Sequence, residues 1–362
     1  MPADRAPSPK VVVDKRSDQL FREGIVAFES KEFATAISRF RETLKKTPNF
    51  VPAAYNLALS FKAAGRGPEA EAIYRAALAI DAQHGPSLYN LGLMLASKGD
   101  SSSALQLYQQ ALVSARRLST SDQETAELPV LIALSDAYRE KKNFTQAIIA
   151  ALSVLEKKPD NSDALIALAL VYGEEGKTKL ADILCARAIK GSPKDARPNN
   201  VLGVIHARAG DTGIAVAYFN QALAKNSAYF PAAFNSGALA LFNRDFANAE
   251  KYFKRAIDLR PEVADAHLYY AFALEGSQAP QKAETAAKEF EEALRLNPIL
   301  KQSVCGAGFA YSRASTIRAD FRSKAIGLLT ECKKFSSLAP NFPEFQLQNV
   351  EAKLQVLKGA TR

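Results

Sequence analysis

The sequence predicts an all-α chain, a solenoid of helical hairpins, and two observations carry that prediction. The first is a repeat. Stepping by 34 residues from Ser17 lands on Val51 and Gly85, and a second frame steps from Leu128 to Ser162, Ala196, Phe230 and Ala264 before a ninth repeat opens near Lys301. Self-similarity at such a period marks stacked supersecondary units. The second is what recurs inside the frame: position 20 is alanine in all nine repeats, from Ala36 to Ala325, and position 8 is always Gly, Ala or Ser. Small side chains at fixed points are what two antiparallel helices need where their backbones cross closely.

The elements follow in order. Each repeat opens with an apolar-periodic stretch, turns, and continues with a second one. Gly65, Gly99, Gly176 and Gly210 fall between the two, where the residue past a helix end favours positive φ. Position 24 is large and apolar in most repeats (Phe40, Tyr74, Tyr108, Phe219, Phe253, Phe290), and position 27 returns to small residues such as Ala77 and Ala111. Pro48, Pro159, Pro193, Pro261 and Pro298 stop the second stretch. The repeats are therefore expected at 17–50, 51–84, 85–118, 128–161, 162–195, 196–229, 230–263, 264–300 and 301–340, with extra residues at Ser119–Glu127 and inside the last two repeats. Residues 1–16, with three prolines and mixed charge, are expected as a disordered N-terminal tail. Residues 341–362 are expected to supply a capping helix and a C-terminal tail, because Leu347, Val350, Leu354 and Leu357 form one apolar stripe opposite Gln348, Glu351, Lys353 and Gln355.

Composition narrows the class. Of 362 residues, 48% are apolar, which excludes wholesale disorder. Three cysteines, an odd number far apart, exclude a disulfide scaffold and suit a reducing compartment. No apolar run approaches the ~18 residues of a membrane span. The N-terminus has only a three-valine apolar core, short of the about 7–15 residues of a secretory signal. A cytoplasmic chain is expected.

The pattern of small residues at 8 and 20, aromatic at 24, alanine at 27 and proline at 32 resembles the tetratricopeptide repeat. Tyr55-Asn56-Leu57-Ala58-Leu59 and Tyr89-Asn90-Leu91-Gly92-Leu93 look especially family-like. The family's tryptophan at position 4 is absent, replaced by smaller apolar residues such as Leu20, Leu88, Leu131 and Leu165. The resemblance implies a right-handed α-solenoid whose first helices line a concave groove, and a role as a non-enzymatic scaffold or adaptor for other proteins.

Catalysis is not expected, and neither is a cofactor or a metal. No HExxH, CxxC, GxSxG or phosphate-loop pattern occurs. His206 and His267 occupy packing positions, His84 sits in a turn, and Cys185 and Cys332 stand at packing positions 24 and 27. Cys305 alone is expected to be able to face the inner surface, and it has no His, Asp or Glu within four residues. The net charge of +9 raises an alternative, a basic-edge adaptor for nucleic acid or an anionic membrane surface. However, twelve cations, among them Lys45, Lys46, Arg116, Arg117, Lys157 and Lys158, cluster at the ends of second helices. Each is favoured there by the helix dipole by about 0.3–1 kcal/mol.

The groove positions point to a protein partner. By the family's pattern the first three repeats present Phe21, Ile25 and Phe28, then Tyr55 and Leu59, then Tyr89 and Leu93, an apolar and aromatic strip of the kind that marks interaction sites. Asn56 and Asn90 add amides able to pair with a ligand main chain. The strip suits an extended peptide or an amphipathic helix. A secondary groove carries Phe234, Asn235, Phe272 and Phe309, with Leu241, Phe242 and Leu268 beside them. Between these, Asp136, Arg139, Glu140, Glu174 and Arg208 read as a solvated polar face. The family's clamp for heat-shock-protein carboxyl tails needs cations around a central asparagine. Asn56 is flanked by Phe21, Ile25, Pro86 and Asn90, and Asn235 by Asn200, Val204, Asp265 and Tyr269, so that partner is not expected.

Overall fold

In the computed structural model the described residues are 12–334 and 347–359. The described helices are all α, no strand occurs among those residues, and the chain divides into two compact bodies, Met1–Glu175 and Gly176–Arg362. The N-terminal body runs α1 (Lys15–Glu29), α2 (Phe33–Lys46), α3 (Val51–Ala63), α4 (Gly67–Ile80), α5 (Gly85–Ser97), α6 (Ser101–Ala115), α7 (Thr120–Glu140), α8 (Phe144–Lys157) and α9 (Ser162–Glu174). The C-terminal body runs α10 (Thr178–Gly191), α11 (Arg197–Ala209), α12 (Thr212–Lys225), α13 (Phe230–Phe242), α14 (Phe246–Leu259), α15 (Ala264–Gly276), α16 (Pro280–Leu296), α17 (Gln302–Ala314), α18 (Phe321–Cys332) and α19 (Leu347–Gly359). Within each body consecutive helices pack on one another, giving the all-α solenoid of hairpins that the repeat implies.

The recurring residues do what their spacing requires. All nine position-20 alanines are fully buried. The small residue at position 8 answers the large one at position 24 of the same hairpin: a Cβ on Gly24 would lie 2.6 Å from Phe40 Cε1, and one on Gly92 would lie 2.5 Å from Tyr108 Cε1. The leucines standing in for tryptophan, Leu20, Leu88, Leu131 and Leu165, are all core. Among the described residues eight have positive φ, and all eight sit at position 15, the turn between the two helices. Gly65, Gly99, Gly176 and Gly210 are four of them, and Lys31, Lys142, Arg244 and Gln278 adopt the same left-handed turn at φ 52–62° despite their Cβ.

Several expectations change. The extra residues at 119–127, to which the repeat assigns no element, extend α7 by about two turns, and Pro129 lies inside that helix. Cys305 does not face an inner surface. It is fully buried on α17 and disulfide-bonded to Cys332 on α18, so neither thiol is free, and a bond of this kind persists in oxidising compartments rather than reducing ones. Leu268 is core rather than groove. In α19, Val350, Leu354 and Leu357 are buried as expected, but Leu347 is 45% exposed. Arg322 of α18 donates to the Leu357 carbonyl at 2.8 Å. The rest of the expected tail and of the C-terminal segment, residues 1–11, 341–346 and 360–362, lies outside the described residues. No described helix is long and apolar enough to cross a membrane.

Candidate functional site

The nine predicted residues of the N-terminal body sit on the first helices of three successive repeats: Phe21, Ile25 and Phe28 on α1, Tyr55, Asn56 and Leu59 on α3, and Tyr89, Asn90 and Leu93 on α5. All nine are half-buried, because each ring or branch leans on the core beneath it. Phe21 packs edge-on against Phe50 at 5.0 Å and beside Phe40 at 5.7 Å, and Phe28 packs on Phe33. Tyr55 rests on Tyr74 and Tyr89 on Tyr108, both at 6.1 Å between ring centres. The position-5 tyrosine is thus propped by the position-24 tyrosine of its own hairpin.

The asparagines are partly engaged within the chain. Asn56 donates to the Pro52 carbonyl at 2.8 Å. Asn90 donates to the Pro86 carbonyl at 3.0 Å and to the Tyr55 hydroxyl at 3.4 Å, and accepts from Lys62 at 3.3 Å. Asn235 donates to Asn200 Oδ1 at 3.0 Å. Each side-chain amide has two N–H groups, so Asn56 keeps one N–H and its carbonyl available.

Three of the nine converge. Tyr55, Tyr89 and Asn90 line one cavity of about 550 Å³. Its remaining walls include Asp81 and the turn His84-Gly85-Pro86, Ser114 of α6 with Leu118 just beyond that helix, and Ala126, Pro129 and Val130 of α7. Of the α7 residues only Ala126 comes from the repeat-breaking insertion; Pro129 and Val130 open the fourth repeat. A second, more open cavity of about 1150 Å³ shares Asp81 and His84 with the first and is lined further by Phe50, Asp14 and Lys46. Phe21, Ile25, Phe28, Asn56, Leu59 and Leu93 line neither. Burial depresses the His84 imidazole and keeps it neutral near pH 7, against the smaller pull of Asp81, and its Nδ1 lies 2.8 Å from Ser87 Oγ. Burial also raises the Tyr55 and Tyr89 hydroxyls, so both are uncharged hydrogen-bonding groups.

The other candidate residues are tied into packing. In the C-terminal body Phe234 sits among Phe230, Phe253 and Tyr269 at 5.6–5.8 Å, Phe272 packs edge-on to Phe290 at 5.0 Å, and Phe309 is half-buried against the core. Phe242 alone of that group is largely exposed, at 83%. The expected solvated face holds an ion-pair knot instead: Arg139 reaches Glu174 at 2.6 Å and Asp136 at 3.6 Å, and Lys142 reaches Glu174 at 2.6 Å. His206 bridges Asp182 (3.0 Å) and Asp211 (3.1 Å) under a stacked Tyr218, and His267 joins Glu289 (2.6 Å) to the Pro261 carbonyl (2.9 Å). The buried Cys185 thiol is pushed up to about 12 by desolvation, far from a nucleophilic thiolate. No group of three His, Cys, Asp or Glu among the described residues could hold a metal. Edge cations have partners too: Arg116 and Lys157 both grip Glu127, Lys158 pairs with Glu124, Arg260 with Glu262 and Arg295 with Glu292.

Comparison with known proteins agrees with this architecture. Family models described as tetratricopeptide repeat match residues 50–117 and 234–298. A tetratricopeptide repeat protein from Parabacteroides merdae ATCC 43184 superposes with a TM-score of 0.62 at 16% identity, over 72% of this chain and all of that one. PilW, a widely conserved type IV pilus biogenesis factor, superposes with a TM-score of 0.51 at 17% identity, over 60% of this chain and 96% of that one. At such identities the likeness is one of fold. No curated protein matches the chain. The repeat, the hairpins and the family-model matches agree: the chain carries tetratricopeptide repeats, a fold of protein-interaction scaffolds.

Proposed function

We propose that the chain is a non-enzymatic scaffold that docks a segment of another protein at the tyrosine-lined cavity of its N-terminal body. One observation carries the reading: Tyr55 and Tyr89, one repeat apart, and Asn90 beside them open onto a single cavity of about 550 Å³. That volume is within the usual range of ligand sites, about 300–1,000 Å³. Half-buried rings propped from below are rigid anchors, and rigid aromatics lose little entropy on binding. Phe21 and Phe50 beside the adjoining cavity, with Asn56, Leu59 and Leu93 along the same helices, extend the surface for an extended peptide or the apolar face of an amphipathic helix.

The test is a selection of displayed random twelve-residue peptides on the full chain and on a Tyr55→Ala/Tyr89→Ala variant with an unchanged helical spectrum. Losing a central aromatic anchor costs about 2 kcal/mol or more, roughly 30-fold in affinity. Selected peptides should therefore lose binding on the variant, and equal binding there overturns the reading. The basic-edge alternative predicts binding to nucleic acid or anionic vesicles that falls steeply with salt. The ion pairs that hold Arg116, Lys157, Lys158, Arg260 and Arg295 weigh against it.

A further inference from the structure

The cavity also has a charge, and the charge suggests what enters it. Its lining includes one carboxylate, Asp81, at the C-terminal end of α4, and no lysine or arginine. Asp81 is half-buried; its Oδ1 accepts the Gln83 backbone N–H at 3.0 Å, and among the described residues no cation lies within ion-pair distance of it. Acids elsewhere in the same body are commonly neutralised: Glu71, Glu127 and Glu174 each hold two cations. Two cations approach the rim and keep their charge, but each donates to an amide oxygen rather than to Asp81, Lys62 to Asn90 and Arg117 to Gln83. An unpaired, partly desolvated carboxylate beside aromatic rings, on a chain of net charge +9, is an electrostatic feature without an internal explanation.

Aromatic faces attract cations, most strongly where water is excluded, and a long basic side chain can lay its methylene stem on a ring while its head reaches a carboxylate. Building on the docking reading above, we infer that the segment taken by this cavity carries an arginine or lysine, whose cation meets Asp81 while its stem lies against Tyr55 and Tyr89. Asn90, already bonded to the Tyr55 hydroxyl, fixes the orientation of that ring. The site selects basic segments.

The experiment uses the same peptide selection, on the full wild-type chain, on Asp81→Asn and on Tyr55→Ala/Tyr89→Ala. Asparagine retains an acceptor for Gln83, so Asp81→Asn should unfold at the wild-type urea midpoint. Wild type should enrich peptides with an arginine or lysine at a fixed place among apolar residues. A synthesised representative should bind Asp81→Asn at least tenfold more weakly. Replacing its basic residue by glutamine should cost at least tenfold on wild type and little on Asp81→Asn. Enriched peptides that need the tyrosines but carry no cation overturn this inference and leave the docking site standing, as does a glutamine penalty equal on both proteins. Peptides that bind the double tyrosine variant as well as wild type, or no enrichment above that variant, overturn both.

Discussion

Gly92 gives the sharpest test of how this fold is held. A Cβ placed there would lie 2.5 Å from Cε1, 2.8 Å from Cδ1 and 3.1 Å from Cζ of Tyr108, a ring only 2% exposed. Carbon atoms rest at about 3.5–4.0 Å, so the ring must retreat by roughly 1 Å into a packed core. Overpacking of that size costs about 1–3 kcal/mol. Against it, alanine in a helix interior gains about 1 kcal/mol over glycine. Gly92→Ala should therefore lower stability by about 1 kcal/mol, even though helix propensity alone predicts a gain. A double-mutant cycle with Tyr108→Leu removes the propensity gain from the comparison and should show coupling of about 1–3 kcal/mol. The second repeat carries Ala58 and Tyr74 at the same two positions, so the pair is not forbidden in itself. What resists is the spacing with which this hairpin is built. Urea unfolding followed by circular dichroism reads the effect as a shift in midpoint at constant m. A Gly92→Ala protein as stable as wild type, or a coupling near zero, would show that position 8 is not small because position 24 is large. Because Tyr89 rests on Tyr108, the same variant should also weaken peptide binding at the cavity.

Three further outcomes are expected. Lys31→Gly, Lys142→Gly, Arg244→Gly and Gln278→Gly should each stabilise the chain, because relief of a left-handed turn worth about 1–2 kcal/mol exceeds the backbone entropy that glycine adds, about 0.5–1 kcal/mol; Gly65→Ala should do the reverse, and the urea midpoint decides both. Glu127 and Glu174 are nearly buried; desolvation alone would raise their carboxyls, but Lys157 with Arg116, and Lys142 with Arg139, more than offset it and leave both below their ordinary value of 4.5. A lowered folded pKa contributes stability that is fully present above that ordinary value and is lost as pH falls through the folded one. Thermal midpoints should thus decline below pH 4.5, and less so when both residues are changed to Gln, once each variant is referred to its own neutral-pH midpoint. Mass spectrometry after alkylation of the denatured, unreduced chain should label Cys185 alone, and reduction should add Cys305 and Cys332. Opening that 27-residue loop should cost about 3.5 kcal/mol on the chain-entropy estimate. A chain taken from its native compartment with both cysteines as thiols would support the cytoplasmic reading, and an oxidised pair would point to export.

Much of the fold was legible because its determinants are local. Alanine at 20 and a small residue at 8 each act within one hairpin, and a single repeat's sequence states them; the left-handed residue at 15 is stated where it is glycine and not at Lys31, Lys142, Arg244 or Gln278. The disulfide was legible too, by a signal left unused. In an antiparallel hairpin the positions that face each other have a constant sum; 8 faces 24, so 5 faces 27, and those are the places of Cys305 and Cys332.

The sequence by itself therefore determined the hairpin, its period, its turns and the tyrosines that surface on its first helices. Tertiary structure decided which of those side chains share a space. Asp81 and His84 lie where the second repeat ends and Pro129 where the fourth begins, and only the stacking of α3, α5, α6 and α7 brings them to Tyr55 and Tyr89. Periodicity reports which face of a helix is apolar. It carries no information on how far another ring covers that face, and that coverage leaves Phe21 leaning on Phe50 at the end of its own repeat while Tyr55 and Tyr89 open onto a cavity.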